Sequence, residues 1–180
     1  MQFVSIFLIM GIMVGILISA VLVIFANKDK HIKTEYDERQ KIAKGKSYTY
    51  GFYTILISEV LVFCLSIEGY PNIHIPGAYY HMLSLFLGLT VVCVHDIWCG
   101  CYWGLNNNIK RYNGIFLFAL LLNLFTCIAP YLVNHEVRIR TIAGMECYDL
   151  PYANIMCSVF LIIVGIAGLI RRLITKKEEE

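Results

Sequence analysis

The amino-acid sequence predicts an all-α integral membrane protein, a bundle of about five transmembrane helices that forms a single domain over residues 1–180. Hydrophobic residues make up 58% of the chain and charged residues only 16%, and the mean hydropathy is +0.66. A soluble domain carries about 25% charged residues, so the surface of this chain must face something other than water. Helices are expected because lipid offers no partner for backbone polar groups and alternating strand patterns are absent.

Five apolar runs each have roughly the 20 residues that cross a hydrocarbon core of about 30 Å. These runs predict transmembrane helices at 3–25, 48–67, 80–101, 114–133 and 153–174. The first run is longer than the apolar region of a signal peptide, which has roughly 7 to 15 residues, and no basic residue precedes it. We therefore expect the first run to remain as a membrane helix.

The distribution of Lys and Arg between the loops predicts the orientation of the bundle. The segment 28–46 holds seven of the fifteen Lys and Arg, the loop 102–113 holds two, and the tail after residue 170 holds four. The loop 68–79 has none and the loop 134–152 has two. Basic residues concentrate on the cytoplasmic side of membrane proteins. The N-terminus is therefore predicted outside and the C-terminus in the cytoplasm, in a multi-pass protein of the cell membrane.

The segment 28–46 is the only long polar stretch between apolar runs, and it is expected to contain a short helix. Thr34 and Asp37 have the spacing of a helix N-terminal capping box. Gly45 is expected to interrupt this helix before the membrane helix begins at Tyr48. A basic segment beside a bilayer is attracted to anionic lipid, so topology and lipid contact alone account for much of its composition.

An acidic-basic block is followed by a Gly-Lys-aromatic stretch at the start of the second predicted membrane helix. The residues are Asp37, Glu38, Arg39 and Gln40, then Gly45 and Lys46, then Tyr48, Tyr50, Gly51 and Phe52. In this stretch, about a sixth of the chain, the sequence resembles small integral membrane proteins of Gram-positive bacteria whose function is unknown. The resemblance implies membrane localisation and brings no known activity.

Several polar residues fall inside the predicted membrane helices. Glu59 lies near the predicted bilayer centre, where a carboxyl group is costly unless it is protonated, paired or hydrated. Asn123 is predicted at a similar depth, and His95 and Asp96 somewhat nearer the cytoplasmic side. We expect these four side chains to converge within the bundle. They predict either a proton or solute site or a structural hydrogen-bond network between helices.

The sequence gives little sign of a metal centre or an enzyme. His95 and Cys99 are four residues apart and suit one metal ion, but no second pair has matching spacing and soft-metal sites need three or four ligands. The same pair suggests a membrane cysteine peptidase, yet no residue is predicted to orient the histidine or to form an oxyanion site. We expect no metal, no cofactor and no enzymatic activity.

The sequence therefore favours a non-enzymatic accessory or regulatory membrane protein. Its expected partners are the lipid bilayer and a membrane or cytoplasmic protein, bound through segment 28–46 with the candidate residues Asp37, Glu38, Arg39 and Gln40. The alternative is a small transporter or channel that uses the Glu59 cluster. Nucleic acid is not an expected partner, because the basic residues adjoin apolar runs and do not form a separate basic face.

Overall fold

The computed structural model describes residues 2–67, 75–134, 139–142, 145–148 and 150–179. This part of the chain contains five helices and one hairpin: α1 Gln2–Ala26, α2 Glu38–Ile67, α3 Ala78–Trp98, α4 Ile109–Asn134, β1 Ile139–Ile142, β2 Met145–Tyr148 and α5 Tyr152–Glu179. Four helical stretches in the described residues are long and apolar enough to cross a membrane: Glu38–Ile67, Ala78–Trp98, Ile109–Ala129 and Tyr152–Lys177. In α1, Met13–Ala26 forms a shorter apolar helix. The chain is therefore compatible with a helical membrane bundle.

The helices pack against one another in pairs that follow a linear order. Helix α2 lies against α3, α3 against α5, α5 against α4, and α4 against α1. A buried hydrophobic cluster joins Ile97 from α3 to Val164 and Ala167 from α5. In the part of the chain that the structure describes, α2 and α4 are not in contact, so polar residues on these two helices do not share an interface there.

The contact between α2 and α3 is built on two glycines. A Cβ atom on Gly51 would lie 2.3 Å from Cγ2 of Val92 and 3.1 Å from the backbone oxygen of Gly88. A Cβ atom on Gly88 would lie 2.3 Å from Cγ1 of Ile55 and 3.0 Å from the oxygen of Gly51. Such small residues let two helix backbones approach closely where lipid provides no hydrophobic drive for association.

Helix α2 begins ten residues before the predicted Tyr48, which corrects the boundary and the expected interruption at Gly45. The cap is formed by Asp37 and Gln40, not by Thr34 and Asp37. The backbone N–H of Gln40 donates to Oδ1 of Asp37 at 2.7 Å, and the N–H of Asp37 donates to Oε1 of Gln40 at 3.3 Å. This reciprocal pair starts the helix. A glycine inside a helix costs only about 1 kcal/mol, so Gly45 does not break it.

Helix α3 ends at Trp98, three residues before the predicted boundary, because Gly100 adopts a φ of +70°. The N–H of Gly100 donates to the oxygen of Ile97 at 3.2 Å, and the N–H of Cys101 donates to the oxygen of Asp96 at 2.9 Å. These two bonds form a Schellman motif, in which glycine is favoured at the left-handed position. The motif turns the chain back over the end of α3.

Two further differences from the predicted elements concern the second half of the chain. Helix α4 begins at Ile109, before the predicted start at Gly114, because the side chain of Asn108 accepts the N–H of Arg111 at 3.3 Å. The strands β1 and β2 pair antiparallel, with Ile139 opposite Tyr148 and Ile142 opposite Met145. The sequence did not predict this hairpin, since strands of four residues are too short for a clear alternating pattern.

Candidate functional site

A buried ion pair joins α2 to the end of α3. The Nζ atom of Lys44 lies 2.7 Å from Oδ2 of Asp96, and the two side chains are only 16% and 4% exposed. The Lys44 ammonium also lies 4.8 Å from the centre of the Tyr36 ring. A carboxylate buried to this degree needs a compensating charge, and Lys44 supplies it. The pair also fixes how α2 is placed along α3.

Ser47 lies one helical turn after Lys44 and connects Asp96 to His95. Its hydroxyl donates a short hydrogen bond to Oδ1 of Asp96, and its Oγ lies 2.7 Å from Nδ1 of His95. A hydroxyl has one proton, so when it donates to Asp96 the proton on the second bond belongs to His95. Nδ1 of His95 is then protonated, and Nε2 holds the free lone pair.

The thiol of Cys99 lies against the imidazole ring of His95. Sγ of Cys99 lies 3.6 Å from Nε2 and 3.8 Å from Nδ1 of His95. The Cys99 side chain is exposed, whereas Cys101 is buried with its thiol 3.3 Å from Oδ1 of Asp96. The sequence predicted no residue that orients His95. Ser47 orients His95, and this role could be identified only from the register between α2 and α3.

We call residues 27–37 and 99–108 the polar cap, since these two segments pack on each other beside the ends of α1, α3 and α4. At its centre Asn27 is fully buried. Nδ2 of Asn27 donates to the oxygen of His31 at 2.6 Å, and Oδ1 accepts Nδ2 of Asn107 at 3.3 Å and the hydroxyl of Tyr112 at 3.0 Å. Asn27 thus joins the end of α1 to the chain before α4.

Asn106 forms the second junction of the polar cap. Its Oδ1 accepts the N–H of Glu35 at 2.9 Å, and its Nδ2 donates to the oxygen of Lys33 and to Oδ2 of Asp29, both at 2.9 Å. The hydrogen bond from Asn106 lowers the pKa of the Asp29 carboxyl, because it stabilises the charged form. The residues before α2 are therefore held in place by side-chain bonds and not left as a free loop.

Gly104 allows the two segments of the polar cap to meet. A Cβ atom at this position would lie 2.3 Å from Cγ2 of Thr34 and 2.6 Å from both Oδ1 of Asn107 and the oxygen of Glu35. The N–H of Gly104 donates to Oδ1 of Asn107 at 2.7 Å. Any larger side chain would push the segments apart.

The four candidate partner-binding residues have different surroundings. Asp37 and Gln40 cap α2, and Nε2 of Gln40 also donates to the backbone oxygens of Gly100 and Trp103, each at 3.2 Å. Gln40 therefore attaches α2 to the polar cap.

The other two candidates, Glu38 and Arg39, are exposed. Oε1 of Glu38 lies 2.7 Å from Nζ of Lys41, and both of these side chains are largely exposed. Glu38 and Arg39 are therefore the members of the block whose side chains are open to another molecule.

The predicted intramembrane cluster is divided between separate places. Oε2 of Glu59 lies 2.7 Å from Nδ1 of His81 on α3, with side chains 36% and 53% exposed. The sequence did not single out His81 as a partner of Glu59. The pair lies on the bundle surface, more than three turns along α2 from Ser47.

Asn123 is also apart from the other members of that cluster. Its Nδ2 donates to the oxygen of Ala119 within α4 at 2.9 Å, and in the described residues α4 packs on α5 and α1 but not on α2 or α3. Of the four predicted residues, the structure brings only His95 and Asp96 into one cluster.

Two clefts adjoin these groups. One has a volume of about 460 Å³, is almost wholly apolar, and is lined by Thr90, Val91, Val94, His95 and Trp98 of α3. The other has about 410 Å³ and lies between the polar cap and helices α4 and α5, with Tyr36, Tyr102, Trp103 and Tyr112 among its lining residues. Burial raises the pKa of the Tyr102 hydroxyl to about 12.

No group of three or more His, Cys, Asp or Glu side chains is arranged to hold a metal ion within the residues that the structure describes. Comparison of the chain with protein-family models, curated proteins and solved structures gives no match. The resemblance carried by the stretch from Asp37 to Phe52 therefore stays an expectation. The candidate sites rest on the geometry of this chain alone.

Proposed function

We propose that the protein is a multi-pass cell-membrane protein that binds a protein partner through segment 28–46 and acts as a non-enzymatic accessory or regulatory subunit. One observation carries the proposal. Of the seven basic side chains in this segment only Lys44 is withdrawn, into its ion pair with Asp96, and the other six are exposed: Lys28, Lys30, Lys33, Arg39, Lys41 and Lys46. The partner is accordingly a protein with an acidic surface.

The attachment of the segment supports binding over a purely topological role. Side-chain hydrogen bonds of Asn27, Asn106 and Gln40 join the segment to residues 99–108. A segment already held in one conformation loses less entropy when it binds, and complementary charge speeds and orients the encounter. Ile32 and Ile42 are 60% and 65% exposed beside these charges and offer apolar contacts to a partner.

Charge reversal at one exposed position tests the proposal. We expect Arg39→Glu to reduce the amount of partner recovered after chemical cross-linking in cells and affinity purification by at least fivefold. Lys110→Glu is the matched control, because Lys110 is an exposed basic residue outside segment 28–46. This variant should leave the recovery of the partner unchanged. Equal recovery of every cross-linked protein from both variants would overturn the proposal.

The Glu59–His81 pair favours a second candidate function, a small transporter or channel. Ionisable side chains within an apolar span are costly and often mark the path of a proton or an ion. If the protein transports, Glu59→Gln abolishes flux into proteoliposomes while the helical content stays unchanged. If it is an accessory protein, Glu59→Gln retains partner recovery and Arg39→Glu does not.

A further inference from the structure

Cys99 lies beside His95, whose ring proton is on Nδ1 when Ser47 donates to Asp96. The chain of hydrogen bonds from Asp96 through Ser47 to Nδ1 of His95 leaves Nε2 of His95 as the acceptor nearest the Cys99 thiol, at 3.6 Å. A nucleophile, a base and a group that orients the base form the arrangement by which proteins activate a thiol. The sulfur lies at nearly equal distances from the two ring nitrogens, 3.6 and 3.8 Å, and so is not aligned with the lone pair of Nε2. Catalytic contacts that are long or poorly aligned in a free protein often tighten when a substrate binds.

The apolar cleft of about 460 Å³ is lined in part by His95, the residue in contact with this thiol. Its lining residues lie on one face of α3, from Trp98, which adjoins Cys99 in the chain, down to Thr90. Eight residues of helix extend about 12 Å. A chain attached at Cys99 would therefore run along α3 toward the apolar span. The cleft has no charged lining residue besides the titratable His95, so it fits a hydrocarbon chain and not a polar peptide.

We propose that Cys99 is a site of self-acylation that accepts a long-chain fatty acyl group from an acyl thioester, with His95 as the base. Nε2 of His95 takes the thiol proton, and the Cys99 thiolate attacks the acyl carbon. The new Cys99 sulfur–carbonyl bond replaces the carbon–sulfur bond of the donor. The donor leaves as a thiolate and receives the proton from His95, so no oxidant or other reactant is required.

The other five thiols that the structure describes lack this arrangement. Cys101 is buried, and Cys93, Cys127 and Cys157 are partly buried. Cys64 on α2 is exposed but has no histidine within hydrogen-bond distance among the described residues. Cys64 is therefore the matched control for exposure without a base.

The test uses the purified full-length protein in detergent with the palmitoyl thioester of coenzyme A as the probe. Intact-mass measurements at pH 7 should show one added palmitoyl group that neutral hydroxylamine removes. Cys64→Ser should give the same single addition, and Cys99→Ser should lose it.

His95→Gln separates the base from general folding effects. We expect its acylation rate at pH 7 to fall by at least about tenfold, as for loss of a general base. The rate should recover when the pH is raised, because the thiolate is the nucleophile and hydroxide then replaces the missing base. Acylation that persists in Cys99→Ser, that is absent from the unaltered protein, or that proceeds at an equal rate in His95→Gln at pH 7 would overturn the proposal.

Discussion

Lys44 of α2 and Asp96 of α3 form an ion pair with an Nζ–Oδ2 distance of 2.7 Å, although they are 52 positions apart in the sequence. The pair explains why one basic residue of segment 28–46 is withdrawn from the surface. It also places Ser47, one turn later on α2, against His95. One electrostatic contact therefore removes a cation from the exposed basic segment and positions the residue that bonds to His95.

Removing Lys44 should destabilise the protein strongly. Lys44→Met leaves the Asp96 carboxylate buried without a counter-charge, which costs about 3–5 kcal/mol in the free energy of unfolding. Lys46→Met, at an exposed position nearby, should change that free energy by less than about 0.5 kcal/mol. Denaturant unfolding in detergent, followed by circular dichroism, measures both. Similar unfolding midpoints for the two variants would contradict the role of the ion pair.

The approach of α2 to α3 should not tolerate a side chain at Gly88. A Cβ atom there meets Ile55 and the backbone of Gly51, so Gly88→Ala should lower the free energy of unfolding by about 1–3 kcal/mol. Gly168→Ala, where nothing lies within 4 Å, is the control and should be neutral or slightly stabilising. Thermal unfolding in detergent checks the pair. A neutral Gly88→Ala would mean that the two helices are farther apart.

Asn106 should hold residues 27–37 in a fixed conformation. Asn106→Ala removes the acceptor of the Glu35 N–H and the donor to Asp29 and Lys33. We expect hydrogen–deuterium exchange to become at least tenfold faster at the Glu35 N–H, which loses its acceptor, and faster across 28–36, which loses the attachment of Asp29 and Lys33 to Asn106. Asn113→Ala, an exposed position on α4, should leave the exchange unchanged. Unaltered exchange in Asn106→Ala would show that the polar cap is held by other contacts.

Features of the fold that extend over many residues of sequence could be predicted, whereas features that depend on single contacts could not. Hydropathy over about 20 residues predicted the long apolar helices, because each must match the thickness of a bilayer. It set the start of α2 at Tyr48, since the amphipathic turns that precede this residue are not apolar. Their helical state depends on the Asp37–Gln40 cap and on the hydrogen bonds from Gln40 to the polar cap.

The candidate site depended on contacts between distant residues, which a single sequence does not encode in its spacing. Helix periodicity places Ser84, Gly88 and His95 on one face of α3, but it does not show which residues of α2 meet that face. Glu59 was therefore grouped with Asn123 by depth alone, and the structure pairs it with His81. Ser47 has no distinguishing pattern in the sequence, and its role follows only from the register that Lys44 and Gly51 impose.

The proposed orientation predicts which thiols and termini face outward. A fluorescent protein fused to the C-terminus should be fluorescent in the cytoplasm. A membrane-impermeant maleimide should label Cys147 in intact cells, because the loop 134–152 is predicted outside. A cysteine introduced at the exposed position Lys30 should react only after the membrane is opened. Labelling at position 30 in intact cells would show that the orientation is the opposite of the one proposed.

Partner binding by segment 28–46 is tested most directly by photo-cross-linking from position 42, where Ile42 is 65% exposed. A photoreactive amino acid placed there in living cells should give one discrete adduct with another protein, and Arg39→Glu in the same chain should abolish that adduct. The same photoreactive residue at Phe118, exposed on the apolar surface of α4, should not give this adduct. Cross-links from position 42 to lipid alone, or a protein adduct that persists in Arg39→Glu, would contradict the proposed function.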